Sequence, residues 1–203
     1  MSCAILVLAG GTSSRWGYPK ALLPWGEDCL VNHLARVALA AGGAPVLRVL
    51  GTHANAIAAR PAPGGVIDVF NLLWARGIGR SIAVGLRAAL TEAPSLTGVA
   101  ILPCDLPLVT AAHLRDCLGL VAAHPSRIVQ SDYGDGACGP PAAFGRAYFE
   151  ELLKLDGEEG GRQIIERNQE HRITLSFPNG RRDLDTVEDL ERLRAFMTEP
   201  AAS

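Results

Sequence analysis

The chain has 203 residues, 48% hydrophobic and 20% charged, with 19 Lys and Arg against 21 Asp and Glu for a net charge of −2. This composition excludes a disordered chain and leaves room for one globular domain, residues 1–203, with a sizeable core. It offers no basic excess for nucleic acid, and no apolar run reaches the ~18 residues of a membrane span, so neither nucleic acid nor membrane is expected as a partner.

The first apolar run, Ala4–Ala9, reads as a buried strand. No positive segment precedes it and folded-looking sequence follows it, so a signal peptide is not expected and the location expected is cytoplasmic. The next stretch is Leu8-Ala9-Gly10-Gly11-Thr12-Ser13-Ser14-Arg15-Trp16-Gly17-Tyr18-Pro19-Lys20. Two glycines after a buried strand let backbone approach a ligand closely, while Arg15 and Lys20 add positive charge. That pattern suits a polyphosphate cradle. A plain Gly-rich turn with surface charges fits the spacing equally well. No Gly-Lys pair occurs in the chain, so this is not a Walker loop. The spacing Gly134, Gly136, Gly139 imitates a dinucleotide fingerprint, but Pro140 and Pro141 follow and lack the N–H groups a pyrophosphate needs.

Farther along, the pattern predicts a helix over Leu30–Ala41 and strands over Pro45–Leu50 and Val66–Phe70, separated by a loop at 60–65. Asn71 to Ser81 reads as a loop opened by Gly77 and Gly79, and a helix is expected over Ser81–Leu90. Asn71 and Ser81 suit either contacts to a nucleotide or a simple turn and helix cap. A strand over Val99–Leu102 runs into Pro103-Cys104-Asp105, and a carboxylate at the end of a buried strand is well placed for a hard cation. A helix over Ala111–Ala123, a strand over Arg127–Ser131 and helices over Arg146–Leu155 and Gly161–Arg167 follow. The strand Arg172–Phe177 leads to Asp183-Leu184-Asp185-Thr186, where alternation puts Asp183 and Asp185 on one side; these acids serve either a metal or the cap of the last helix, Val187–Phe196. Alternating strands and helices indicate an α/β fold with a mostly parallel sheet. The five cysteines are odd in number, widely spaced and free of any Cys-x-x-Cys pair, so they read as reduced thiols, and the five histidines match no ligand spacing.

LAGGTSSRWGYPKALLPWG closely resembles the N-terminal motif of the nucleotidyltransferases that mature molybdenum cofactor. The resemblance extends from Ile5 to about Leu193 through CDLPLV, the Asn71…Trp74…Ser81 element, the Gly139–Pro141 segment, Gly157–Arg162 and Asp183–Asp189. It implies a single Rossmann-like, three-layer domain like that of the nucleotide-diphospho-sugar transferases. It implies that Leu8, Ala9, Gly10 and Gly11 hold the triphosphate, that Arg15 and Lys20 neutralise it catalytically, and that Asp105 and Asp185 hold Mg2+. Asn71 and Ser81 would lie at the base or ribose, and Gly139, Pro141 and Arg162 at the acceptor.

The implied reaction moves a nucleotidyl group from a nucleoside triphosphate to the phosphate of molybdopterin or molybdenum cofactor, with a target molybdoenzyme as the downstream partner. Pro19, the Asn71–Ser81 element and Gly157–Arg162 match the cytidylyl branch and favour CTP; the LAGG start and Leu106 match the guanylyl branch. Trp16, Leu106, Glu158 and Val187 depart from the residues usual in the family. Sugar-1-phosphate nucleotidyl transfer and catalytically silent cofactor delivery are the alternatives.

Overall fold

The computed structural model describes residues 2–11 and 17–198. Their central feature is a seven-stranded sheet in the order β5-β4-β1-β6-β8-β7-β9. The strands are β1 (Cys3–Ala9), β4 (Val46–Leu50), β5 (Val66–Phe70), β6 (Gly98–Pro103), β7 (Ile128–Gly134), β8 (Ala137–Gly145) and β9 (Arg172–Ser176); β2 (Pro24–Trp25) and β3 (Asp28–Cys29) form a small separate hairpin. Every neighbouring pair in the large sheet is parallel except β8 with β6 and with β7.

The helices are α1 (Leu30–Ala40), α2 (Ala54–Ala58), α3 (Ile78–Glu92), α4 (Ala111–Ala123), α5 (Phe149–Lys154), α6 (Gly161–Arg167) and α7 (Val187–Thr198). Ile5 and Val7 of β1 pack with α1, α4 and α7 on one face of the sheet. Ala4, Leu6 and Leu8 pack with α3, α5 and α6 on the other. The period-2 alternation of β1 therefore feeds two apolar layers, which makes three layers in all and explains its unbroken apolar run. No helix among the described residues is long and apolar enough to cross a membrane.

The α/β class, the mostly parallel sheet and six strands stand where the sequence pattern predicts them. The main difference is β8. Gly139, Pro140 and Pro141, which no expected strand covers, lie within an antiparallel strand whose register to β7 shifts twice. Proline and glycine hide a strand because they lack, respectively, a ladder donor and a side chain to pack. The α2 helix and the β2–β3 hairpin were not anticipated either, and the helix expected over 146–155 begins as a 3-10 turn before α5.

The second strand also differs from a purely apolar run, because Arg48 on β4 is fully buried. Its Nε and Nη2 each donate to Asp68 of β5 at 2.6 Å, and its Nη1 donates to Asn32 of α1. Asn32 in turn donates to Asp28 beside the hairpin. A bidentate pair of this kind offsets the cost of desolvating a guanidinium, whereas removing one partner strands the other charge. Asp68→Ala is therefore expected to lower stability by about 3–5 kcal/mol. Asp68→Ala combined with Arg48→Met should recover much of that loss, as measured by denaturant unfolding of both proteins.

Candidate functional site

Strand order reverses direction around β1, with β4 on one side and β6 on the other, and open α/β sheets bind ligands outside such a point. Three segments meet there. Gly10 follows β1, Gly51 follows β4 and Asp105 follows β6. A Cβ on Gly51 would lie 2.7 Å from both Cα and O of Gly10 and 2.9 Å from the Trp74 Cβ. A Cβ on Gly10 would lie 3.3 Å from the Ser81 Oγ. The two glycines let bare backbone pass bare backbone, and the Thr52 Oγ1 donates to the Gly10 carbonyl at 3.1 Å to hold the crossing.

The loop after β5 forms the next wall. Gly77 has φ +113 and caps α3, which begins at Ile78, earlier than its expected start at Ser81. A side chain at Gly77 would strike the backbone of Gly157. Ser81 is thus a buried residue inside α3 and not its cap. Its Oγ accepts from the Asn71 Nδ2 at 3.0 Å, and the Asn71 Oδ1 accepts from the Leu73 N–H at 3.1 Å. Asn71, 3% exposed, thereby uses its amide to tie the loop to the helix.

Charge collects opposite. The Lys20 Nζ donates to the Leu184 carbonyl at 2.7 Å and to the Asp185 Oδ1 at 3.0 Å. The Leu184 N–H donates to the Asp105 carbonyl at 2.9 Å, so backbone pins the acidic segment beside the end of β6. Burial pushes the Asp105 carboxyl above its ordinary range, Lys20 partly opposes this, and Asp183 and Asp185 add to it. Asp183 is also raised, by burial first and then by Asp185.

No cluster of three side chains able to hold a metal occurs among the described residues. Asp105 and Asp185 nevertheless fit a hard cation of the magnesium type, which takes one or two carboxylates and completes its shell with phosphate oxygens and water. Burial, with a smaller contribution from Asp183 and Asp185, raises Asp105, and a bound cation would relieve both by offsetting its charge. Asp189 has a different task. Its Oδ2 accepts from the Thr186 N–H at 2.8 Å while the Thr186 Oγ1 accepts from the Asp189 N–H at 3.3 Å, the reciprocal pattern of a capping box at the start of α7.

Two adjoining lobes open here. The smaller, about 360 Å³, is lined by Leu8, Ala9, Gly10, Gly11, Lys20, Trp74, Ser81 and Asp105. The larger, about 900 Å³, lies over β6–β9, and Ile78, Pro103 and Glu158 line both. Every residue expected at the nucleotide lines the smaller lobe except Asn71, which lies behind it, and Arg15, which falls outside the described residues. Of the residues expected at the acceptor, Gly139 and Arg162 line the larger lobe. Pro141 is buried, with its carbonyl accepting from the Ser131 Oγ at 2.7 Å. Arg162 stands at the rim, its side chain 86% exposed and paired with Glu166 at 2.7 Å.

Sequence reasoning missed Gln130, Asp132, Arg172 and Thr174, which also line the larger lobe. The available signal was the period-2 alternation of Arg172-Ile173-Thr174-Leu175-Ser176; on β7 the unbroken polar run Gln130-Ser131-Asp132 hides which residues share a face.

With this geometry in place, comparison with known proteins is decisive. The description MobA-like NTP transferase domain matches residues 5–173. The chain belongs to that family. A molybdenum cofactor guanylyltransferase of Xanthomonas euvesicatoria is 35% identical over 113 residues, covering 56% of this chain and 52% of that protein, so the match spans about half of its length. Nicotine blue oxidoreductase of Paenarthrobacter nicotinovorans is 29% identical over 198 residues, covering 93% of this chain and 94% of that one. The crystal structure of Rv0371c from Mycobacterium tuberculosis superposes with a TM-score of 0.75 at 30% identity, over 95% of this chain and 97% of that one. The same protein is known as a manganese complex, with TM-score 0.72 and 29% identity over the same shares of the two chains. The chain therefore has the Rossmann-like fold of the nucleotidyltransferases it superposes on.

The raised Asp105 carboxyl makes a stability prediction. A carboxyl whose proton is held more tightly when folded favours the native state below the unfolded pKa, and that contribution is lost as pH rises through the folded value. Asp105→Asn is neutral throughout, so it should raise the melting temperature of the ligand-free protein at neutral pH. The gain should shrink as pH falls and vanish below the ordinary carboxylate range, a trend that thermal unfolding at a series of pH values would check.

Proposed function

We propose that the protein transfers a nucleotidyl group from a nucleoside triphosphate to the terminal phosphate of molybdopterin or molybdenum cofactor, with release of pyrophosphate. The observation that carries this reading is the pair of lobes: one joins the Gly10–Gly11 backbone to Lys20 and Asp105, and the other opens from it across a shared wall. A triphosphate in the smaller lobe would meet the backbone of Leu8 to Gly11. An acceptor in the larger lobe would approach over Pro103. Membership of the MobA-like NTP transferase family supports the reaction class, and the relative named molybdenum cofactor guanylyltransferase supports the acceptor.

The acceptor phosphate is already largely ionised at neutral pH, so it attacks the α-phosphorus without a dedicated protein base. Pyrophosphate leaves as the new P–O bond forms. The protein's own share is positioning and charge. Lys20, held between the Leu184 carbonyl and Asp185, is placed to turn onto the α-phosphate oxygens, and Arg15 adds a second cation from the same motif. Asp105 and Asp185 would hold Mg2+, which supplies further neutralisation of the triphosphate. Ser81 sits beside the sugar or base with Trp74, while Asn71 acts through Ser81 and Leu73. The product is then handed to a target molybdoenzyme.

For the nucleotide the proposal is CTP. Pro19 and the Asn71–Ser81 element, which match the cytidylyl branch, support it, and a site that hydrogen-bonds a base edge rejects the wrong base strongly because its polar groups are left unpaired. The guanylyltransferase relative favours GTP as the second reading. Measuring kcat/KM for CTP and GTP with the same acceptor decides between them: a higher CTP value is expected, and an equal or higher GTP value moves the protein to the guanylyl branch.

Lys20→Ala should lower turnover by about 10²–10³ at saturating nucleotide and metal while the fold is retained, the usual scale for losing one charge aimed at a transition state. Wild-type turnover in that variant would remove Lys20 from the mechanism. Asp105→Asn should lose divalent-dependent activity to a similar degree although its melting temperature does not fall.

A further inference from the structure

The larger lobe has a two-sided character that the phosphate chemistry does not use. One wall, formed by Ile82, Ile101, Phe144 and Ile165, is apolar. The other is a polar stripe on two adjacent strands. Gln130 and Asp132 stand two residues apart on β7, and Arg172 and Thr174 two apart on β9. Gln130 lies directly opposite Thr174, and Ile128 opposite Arg172, so the register puts all four side chains on one face of the sheet.

The hydrogen bonding of the stripe gives it a direction. Gln130 is 8% exposed. Its Oε1 accepts from the Arg172 Nη1 at 3.4 Å. A guanidinium only donates, so this contact fixes the amide with its oxygen toward Arg172 and its NH2 group turned away. That NH2 group makes no hydrogen bond to any described residue, although the side chain lines the lobe. Asp132 is similar. Its Oδ1 accepts from the Gly134 N–H at 2.9 Å, and its Oδ2 has no partner among the described residues. The amide of a nine-tenths-buried residue, open to the cavity, beside a half-buried carboxylate acceptor makes an unfilled hydrogen-bonding edge.

We propose that this stripe reads the edge of a flat heterocycle on the acceptor: Asp132 accepts from an exocyclic amino group and the adjacent ring N–H, and Gln130 donates to the neighbouring carbonyl. The apolar wall carries the ring face. The complementary ligand edge is an amino-oxo pyrimidine, found both in a pterin and in guanine. The stripe lies in the lobe away from the Gly10–Gly11 backbone, which assigns it to the acceptor and not to the nucleotide base. This inference rests on the transfer reaction proposed above, and it places heterocycle recognition on the floor of the lobe, apart from Arg162 at the rim.

The test is fluorescence titration of the full chain with free pterin and with lumazine, which has a carbonyl in place of the amino group, alongside binding of CTP and GTP. Asp132→Asn keeps the oxygen that accepts from Gly134 and turns the other oxygen into a donor. Gln130→Met keeps the volume and removes the amide. The wild type should bind pterin about tenfold or more tightly than lumazine, since a mismatched analogue leaves the buried acceptor unpaired. Asp132→Asn should erase that preference, Gln130→Met should weaken pterin binding, and neither should move nucleotide affinity.

Equal binding of pterin and lumazine by the wild type, or unchanged preference in Asp132→Asn, would overturn the proposal, because a merely structural role for Asp132 leaves the preference intact. Loss of GTP binding in the variants, with pterin unaffected, would also overturn it by placing a guanine at the stripe. Failure of the wild type to bind any nucleotide, with pterin discrimination intact, would instead defeat the transfer reaction and leave the stripe standing.

Discussion

The crossing of Gly10 over Gly51 is the contact around which the site is arranged. The two strand ends can converge at the switch point because Gly51 carries no Cβ: one there would lie 2.7 Å from the Cα and O of Gly10, whereas one on Gly10 would make ordinary contacts with Gly51 and crowd only the Ser81 Oγ at 3.3 Å. Trp74 and Ser81 lie against this crossing, and Gly10 and Gly11 line the smaller lobe. Side-chain bulk at Gly51 would force the two strand ends apart. The absence of a methyl group at that position is thus a structural requirement that precedes any catalytic one.

A second requirement is electrostatic. Three carboxylates, Asp105, Asp183 and Asp185, are held near one lysine by a backbone bond between Leu184 and Asp105. In the ligand-free protein this arrangement is costly, as the raised Asp105 and Asp183 carboxyls show. In the proposed reaction a cation and a triphosphate entering together would offset that cost, because each relieves the other's charge. Stability given up at such a site is a common cost of function. The Arg48–Asp68 pair follows the opposite logic: its charges are matched within the fold, and it joins β4, β5 and α1 without reaching the lobes.

The two lobes divide recognition by type. The smaller offers backbone and fixed charge, suited to phosphates that all nucleotides share. The larger offers an apolar wall against a polar stripe, suited to a flat ring with one hydrogen-bonding edge. Their common wall of Ile78, Pro103 and Glu158 sits where two reacting groups would have to meet. Gly77 makes that wall possible, since its φ of +113 and lack of a side chain let the start of α3 pack on the backbone of Gly157.

Much of this was legible in the residues alone. The order of strands and helices, and Gly10, Gly11, Lys20 and Asp105 as candidates beside the strand ends, follow from local pattern, because burial periodicity and glycine after a strand act over a few residues. What depended on tertiary structure involves partners far apart in the chain. Lys20 meets Asp185 across 165 residues. The strand β8 was hidden because its Gly139, Pro140 and Pro141 have poor strand propensity, and only pairing with β6 and β7 on either side makes them a strand. Asn71 and Ser81 were recognisable as a pair, but only packing turned them toward each other. The stripe of Gln130, Asp132, Arg172 and Thr174 exists because β7 and β9 pair in one particular register; a slip of one residue would turn β9's pair to the opposite face of the sheet.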